Sequence, residues 1–174
     1  MNNTTEMSKS AIPHDLILAS GSVSRRSLLE RLRLPFEVLP ANLDETPMAG
    51  EAPAALAERL SRGKARSVAE QHPNKVVIGS DQVAVFEGKP SGKPGGPERA
   101  MQLLRRFSGR EVDFLTGTCV KLGASDFEGY FMDCTRVRFR TLDDQEIERY
   151  LESDRPWDCA GSFRLESLGP ALFE

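Results

Sequence analysis

The residues best able to do chemistry in this sequence are cations and carboxylates set beside small, turn-forming residues. Ser20-Gly21-Ser22-Val23-Ser24-Arg25-Arg26 stands where a short apolar run, Leu16 to Ala19, hands over to a helical pattern. Free backbone N–H groups and the positive end of the helix dipole point outward at such a junction. Two hydroxyls and two guanidiniums there add the donors that suit phosphate oxygens. The alternative is a helix N-cap by Ser22 or Ser24 with two solvated arginines. Further on, Lys64 falls in the same helical row as Leu56, Leu60 and Val68, next to Gly63. A lysine inside an apolar stripe either snorkels from its edge or reaches into a site, and the glycine leaves room for close approach.

Gly79-Ser80-Asp81-Gln82 puts a carboxylate at the end of an apolar strand, Val76 to Gly79. Strand ends in α/β sheets are where ligands bind; a turn residue or a cap is the other reading of Asp81. Leu43-Asp44-Glu45-Thr46-Pro47 offers two more acids. Only His14 and His72 are present, without an H-E-x-x-H pair, which argues against a zinc hydrolase. Ligation by carboxylates alone points to Mg²⁺ or Mn²⁺, as phosphate chemistry requires. Gly88-Lys89-Pro90-Ser91-Gly92-Lys93-Pro94 lacks the P-loop spacing and no helix opens directly after it. It reads as a stiff loop that holds Lys93 over a phosphate chain or leaves it in solvent. Together Arg25, Arg26, Lys64 and Lys93 with these acids form the set needed to hold a triphosphate, bind a metal and orient water.

The elements that must position them read as α/β with a mixed sheet. Strands are expected at Leu16–Ala19, Phe36–Leu39, Val76–Gly79 and Val83–Phe86. Helices are expected over Ser24–Arg33, with Leu28, Leu29 and Leu32 on one face, over Ala54–Gln71, and over Glu98–Phe107 with Ala100, Leu103, Leu104 and Phe107 inward. Val112–Leu122 and Tyr130–Arg140 form a long hairpin, and a short helix, Asp143–Glu152, precedes Cys159-Ala160-Gly161-Ser162-Phe163. Three prolines and four glycines between Gly88 and Pro97 force irregular backbone there.

A net charge of −3 over 174 residues is too weak a bias for a polyanionic partner, so phosphate binding must come from a local cluster of cations. A nucleic-acid polymer is set aside for the same reason and for want of a basic, aromatic face. Cys119, Cys134 and Cys159, an odd number without a C-x-x-C pair, read as buried thiols in a reducing compartment. Met1 to His14 is polar, a flexible leader rather than a signal peptide, and no run is apolar enough to span a membrane. A cytoplasmic location follows as the expectation. The lone Trp157 reads as core rather than as a base-stacking platform.

The motifs A-S-G-S-x-S-R-R-x-L-L, L-D-E-T-P, a helical K-A, G-S-D-Q, S-G-K-P and C-A-G-S-F, in that order from Leu16 to Glu174, resemble the Maf family of nucleotide pyrophosphatases. The resemblance implies a Maf/ITPase-like fold, an elongated mixed sheet flanked by helices, in two lobes with a cleft between them. It implies hydrolysis of a nucleoside triphosphate at the α-phosphorus with release of pyrophosphate. By position, Asp81 is the acid that activates water through a divalent metal, with Glu45 a further metal or water ligand. Arg25, Arg26, Lys64 and Lys93 are then the triphosphate clamp, joined by Ser20 and Ser22. Ser24, Gln82 and Glu166 fall at positions tied to substrate choice. Gln82 and Glu166 resemble the branch acting on 7-methyl-GTP, whereas Ser24 stands where some relatives carry a bulky aromatic. A carboxylate at Glu166 suits guanine N1–H and N2–H₂ and a base made cationic by methylation. A dTTP/UTP pyrophosphatase is the alternative substrate reading, and a non-catalytic nucleotide-binding regulator of cell division the alternative class. The resemblance also implies a homodimer, a role in clearing modified nucleotides, and a C-terminal tail beyond Leu172-Phe173-Glu174. The domain reading is thus a leader over 1–14 and one catalytic domain over 15–174 without that tail.

Overall fold

The apolar runs Leu16–Leu18, Phe36–Val38 and Val76–Phe86 form strands β1, β2 and β3, with β1 parallel to both others. The computed structural model describes residues 16–123 and 125–174, so the leader expected over 1–14 lies outside the described residues. Helix α1 (Val23–Glu30) connects β1 to β2, and α2 (Pro53–Ala69) connects β2 back across β1 to β3. The two crossovers run in opposite directions, so right-handed connections put the helices on opposite faces of the sheet. Three antiparallel strands follow: β4 (Lys89–Pro90) pairs with β3, and β5 (Glu111–Leu122) and β6 (Glu128–Arg138) extend the sheet to the order β2-β1-β3-β5-β6. Helices α3 (Pro97–Phe107) and α4 (Asp144–Asp154) and two 3₁₀ turns, Ala160–Ser162 and Gly169–Leu172, complete a mixed α/β fold.

Each face of the sheet carries its own core. Alternation along β3 sends Val77 and Val83 to the α2 face, where they meet Val68 and Leu60 respectively. Ala84 and Phe86 go to the other face, against Leu104 and Phe107 of α3 and Ile147 of α4. Two glycines bring α2 unusually close to the sheet. A Cβ on Gly79 would fall inside the contact radius of Ser61 O and Ala65 N, and one on Gly117 would lie 2.8 Å from Ala57 O. The turn at Gly161 has φ 74, and a Cβ there would meet the Phe114 ring at 2.6 Å. That glycine lets Phe163 stack edge-on against Phe114.

The structure corrects several expectations. Val76–Gly79 and Val83–Phe86 are not two strands but one, because β5 pairs with β3 without a break from Val76 to Val85. Helix α1 ends at Glu30, and Leu28 and Leu32 are 60% and 62% exposed. They lie on the row of Ser24, so a helix that buries Leu29 turns them outward. Within Gly88–Pro97 the short strand β4 forms. Cys119 is buried and Cys159 half-buried, but Cys134 is exposed on the edge strand β6. Trp157 is half-buried against the α3/α4 core. No described helix is long and apolar enough to cross a membrane.

A carboxylate ties the β5–β6 hairpin to α2. Glu128 accepts from Arg66 Nε at 2.6 Å and from Arg62, and these bonds, Arg66 first, hold its carboxyl at about 2 against an ordinary 4.5. A depressed folded-state value stabilises the fold above the ordinary value and loses that contribution as pH falls toward the depressed one. Glu128→Gln is expected to lower Tm by roughly 2–4 °C at pH 7. Thermal melts should show the gap closing between pH 4.5 and about 2; a gap independent of pH would assign the loss to packing instead.

Candidate active site

One edge of β3 is left open. Ala19 N–H donates to Ile78 O at 2.8 Å, the last tie to the β1 side, and Ser91 N–H donates to Ala84 O at 2.9 Å. Between them no described strand pairs with β3 on that side. Backbone direction alternates, so Ser80 and Gln82 turn their N–H and C=O groups toward the gap as Ile78 and Ala84 do. Asp81 therefore stands in the middle of a strand, paired with Gly117, and not at a strand end as expected. The neighbouring parallel strand β1 does end here. The rule that ligands bind beyond carboxyl ends of parallel strands is met by β1 rather than by β3.

On the α2 face of this gap the carboxylates and lysines converge. Lys64 does not snorkel. It is buried, and its Nζ donates to Asp81 Oδ1 at 2.6 Å and pairs with Glu45 Oε1 at 2.5 Å. Lys93 Nζ lies 3.3 Å from Glu45 Oε2. Gly63 explains how Glu45 arrives: a Cβ there would come within 2.8 Å of Leu43 Cδ2, so the glycine lets the loop lie on α2. The other oxygen of Asp81 accepts from no described residue. Burial raises the Glu45 pKa, but the bonds from Lys64 and Lys93 outweigh it and leave the carboxyl below its usual value.

Arg25 enters from the β1–α1 junction. Its Nη1 donates to Ser20 Oγ at 3.2 Å, and Ser22 Oγ caps α1 by accepting from Arg25 N–H at 3.4 Å. Burial pulls the guanidinium pKa down, while the charges of Asp81 and Glu45 hold it up. Both readings of the junction thus hold together, a helix cap and a cation facing the acids. Arg26 stands elsewhere. It pairs with Glu30 at 3.0 Å and faces a cavity lined by Phe36 and Val38, because one helical step turns it toward the β2 edge.

Gln82 and the remaining pair lie on the opposite face of β3. Gln82 Nε2 donates to Thr116 Oγ1 across the ladder at 3.0 Å. Ser24 of α1 donates to the Glu166 carboxylate, spanning from α1 to the segment that follows α4. Of the three residues expected to set substrate choice, Gln82 thus lies on the β3 face that α3 and α4 cover, while Ser24 and Glu166 bond to each other between α1 and the segment after α4. Sequence reasoning missed Thr116, whose role depends on strand register. It also missed Tyr150 and Asp154, which hold the Glu166 segment from behind and carry no motif.

Among the described residues no three His, Cys, Asp or Glu side chains form a metal cluster. Asp81 and Glu45, joined through Lys64, supply two carboxylates. That donor set fits Mg²⁺ or Mn²⁺ brought with phosphates, which takes one or two carboxylates and fills its shell with water and phosphate oxygens.

Comparison with known proteins places this geometry in context. A family model described as Maf-like protein matches residues 15–174. A 7-methyl-GTP pyrophosphatase of Bordetella pertussis is 54% identical over 94% of this chain and 81% of its own length. Those of Pseudomonas aeruginosa and Nitrosospira multiformis are 52% and 46% identical, over 91% and 97% of this chain and 83% and 85% of theirs. A solved nucleoside-triphosphatase / dITP/XTP pyrophosphatase from Mycobacterium abscessus superposes with a TM-score of 0.47 at 16% identity, over 73% of this chain and 75% of that one. That likeness is too distant to bear on function.

Proposed function

The chain belongs to the Maf-like family, and on that premise we propose that it hydrolyses 7-methyl-GTP to 7-methyl-GMP and pyrophosphate. The observation that carries the reaction is Asp81, buried, with one carboxylate oxygen held by Lys64 and the other accepting from no described residue. Water attacks the α-phosphorus, the Pα–O bond to the β-phosphate breaks, and pyrophosphate leaves. The free oxygen of Asp81 takes the proton of the attacking water. Arg25, Lys64 and Lys93, with the hydroxyls of Ser20 and Ser22, neutralise the charge that builds on the phosphates. Arg26 joins this clamp by leaving Glu30, an exposed pair that costs little to break. A divalent cation, Mg²⁺ or Mn²⁺, held by Asp81 and Glu45 with the phosphates, would supply further neutralisation and Lewis-acid polarisation when bound.

The other face of β3 supports the choice of base. Gln82 and Glu166 offer acceptors to guanine N1–H and N2–H₂, and Glu166 favours the positive charge that 7-methylation adds. Ser24 satisfies Glu166 in the free protein. The same proposal places the enzyme in the cytoplasm, as a homodimer that clears modified nucleotides; size-exclusion with light scattering measures the dimer.

Pyrophosphate release with Mg²⁺ or Mn²⁺ from 7-methyl-GTP, GTP, dTTP, UTP and CTP tests the substrate. We expect 7-methyl-GTP to give the highest kcat/KM, and Glu166→Gln to cut its advantage over GTP by about 10-fold or more. Preference for dTTP or UTP sinks the reading of Gln82 and Glu166. Release from none of the five overturns the enzyme.

A further inference from the structure

Asp154 is a buried carboxylate that the reaction does not use. It is the last residue of α4, where the helix dipole disfavours negative charge, and it forms no ion pair among the described residues. Burying an unpaired charge is unfavourable unless it accepts well-placed hydrogen bonds. Beside the Tyr150 hydroxyl, both Asp154 oxygens accept from the segment after α4. Oδ1 accepts from Ser167 Oγ at 2.8 Å and Oδ2 from Leu168 N–H at 3.1 Å. Ahead of that contact, Arg164 N–H donates to the buried Tyr150 hydroxyl, one turn before Asp154 on α4, at 2.9 Å. The backbone between the anchors closes on itself, with Gly169 N–H donating to Arg164 O at 3.0 Å. A Cβ at Gly169 would collide with that same carbonyl, so the turn is as tight as a glycine allows. Glu166 lies inside this turn, between the Arg164 and Ser167 anchors, and meets Ser24 of the facing helix.

We propose that Asp154 is a positioning residue for base recognition, fixing the Arg164–Gly169 turn so that Glu166 presents its carboxylate on the side that faces Ser24 of α1. The inference rests on the reading of Glu166 as a contact to the base. A pinned acceptor discriminates between bases because it cannot swing away from one that lacks the matching donor. Asp154 bonds to Ser167 and Leu168 and not to the Asp81–Lys64–Glu45 cluster, so its effect falls on KM and on base choice rather than on the chemical step.

The test is steady-state kinetics of Asp154→Asn, Ser167→Ala, Glu166→Gln and the Asp154→Asn/Glu166→Gln double variant on 7-methyl-GTP, GTP and UTP. Ser167→Ala removes one bond without touching the buried charge, so it stands in if Asp154→Asn fails to fold. The expected result is a KM for 7-methyl-GTP raised about 10-fold by Asp154→Asn and about 3-fold by Ser167→Ala. The kcat should stay within about twofold, UTP should be unaffected, and the double variant should be no worse than Glu166→Gln alone. Equal losses on all three substrates, a fall in kcat, or additivity in the double variant overturns the proposal while leaving Glu166 as a base contact. An inert Glu166→Gln removes that contact, and the proposal with it.

Discussion

Asp81→Asn is expected to lower kcat for 7-methyl-GTP by roughly 10³- to 10⁴-fold with KM changed less than about threefold. Asparagine keeps an oxygen for Lys64 to donate to, and Lys64 retains Glu45 as its ionic partner, so the cluster stays together. The triphosphate meets the same arginine and lysines, and Glu45 remains to hold a divalent cation. What is lost is the carboxylate oxygen that no described residue holds, and with it the place for the proton of the attacking water. Steady-state kinetics beside a thermal melt separate the two effects, because the fold should survive with Tm moved by only a few degrees. A fall in kcat below tenfold would leave Asp81 as an anchor for Lys64 and send the search for the base to Glu45.

The junction at Ser20 to Arg26 shows how far residue types alone carry a reading. A cap and a cation were both legible there, because Ser22 precedes a helix and arginines follow it. Which arginine faces the acids was not legible, since Arg25 and Arg26 differ by one helical step and only the packing of α1 on the sheet decides between them. Lys64 shows the converse. An apolar row flagged it, and the acids that draw it inward come from a loop and a strand far away in sequence. Asp81 does not close a strand as its apolar run suggests, because β5 runs past it as a continuous partner and the open end belongs to β1. Mixed sheets hide such ends: the strand that stops and the strand that carries the residue are different segments. Thr116, Tyr150 and Asp154 left no trace at all. Their value lies in register and in the return of the chain after α4, and neither is a local pattern.

The G-S-D-Q segment joins stability to catalysis through its glycine. Gly79→Ala is expected to destabilise the fold by about 3 kcal/mol, a fall in Tm of roughly 6–12 °C. The added methyl meets backbone, Ser61 O and Ala65 N, along with the Ala65 methyl at 2.9 Å, and backbone of a long buried helix cannot turn aside as a side chain can. Relief requires α2 to rise from β3 between Ser61 and Ala65, the stretch that carries Lys64. Lys64 would then leave Asp81, and the Leu43–Glu45 loop resting on Gly63 would move with it. Activity should therefore fall together with stability, and lowering the temperature should not restore it, since the displacement persists in the folded state. Gly96→Ala is the matched control: its φ of −179 suits any residue, and the nearest atom to the new methyl is the end of the Glu98 side chain at 3.9 Å. It should cost less than about 1 kcal/mol. A Gly79→Ala protein that melts within about 2 °C of the parent and turns over normally would mean that α2 does not set the height of Lys64 above Asp81. The close approach would then be a packing detail with no part in the chemistry.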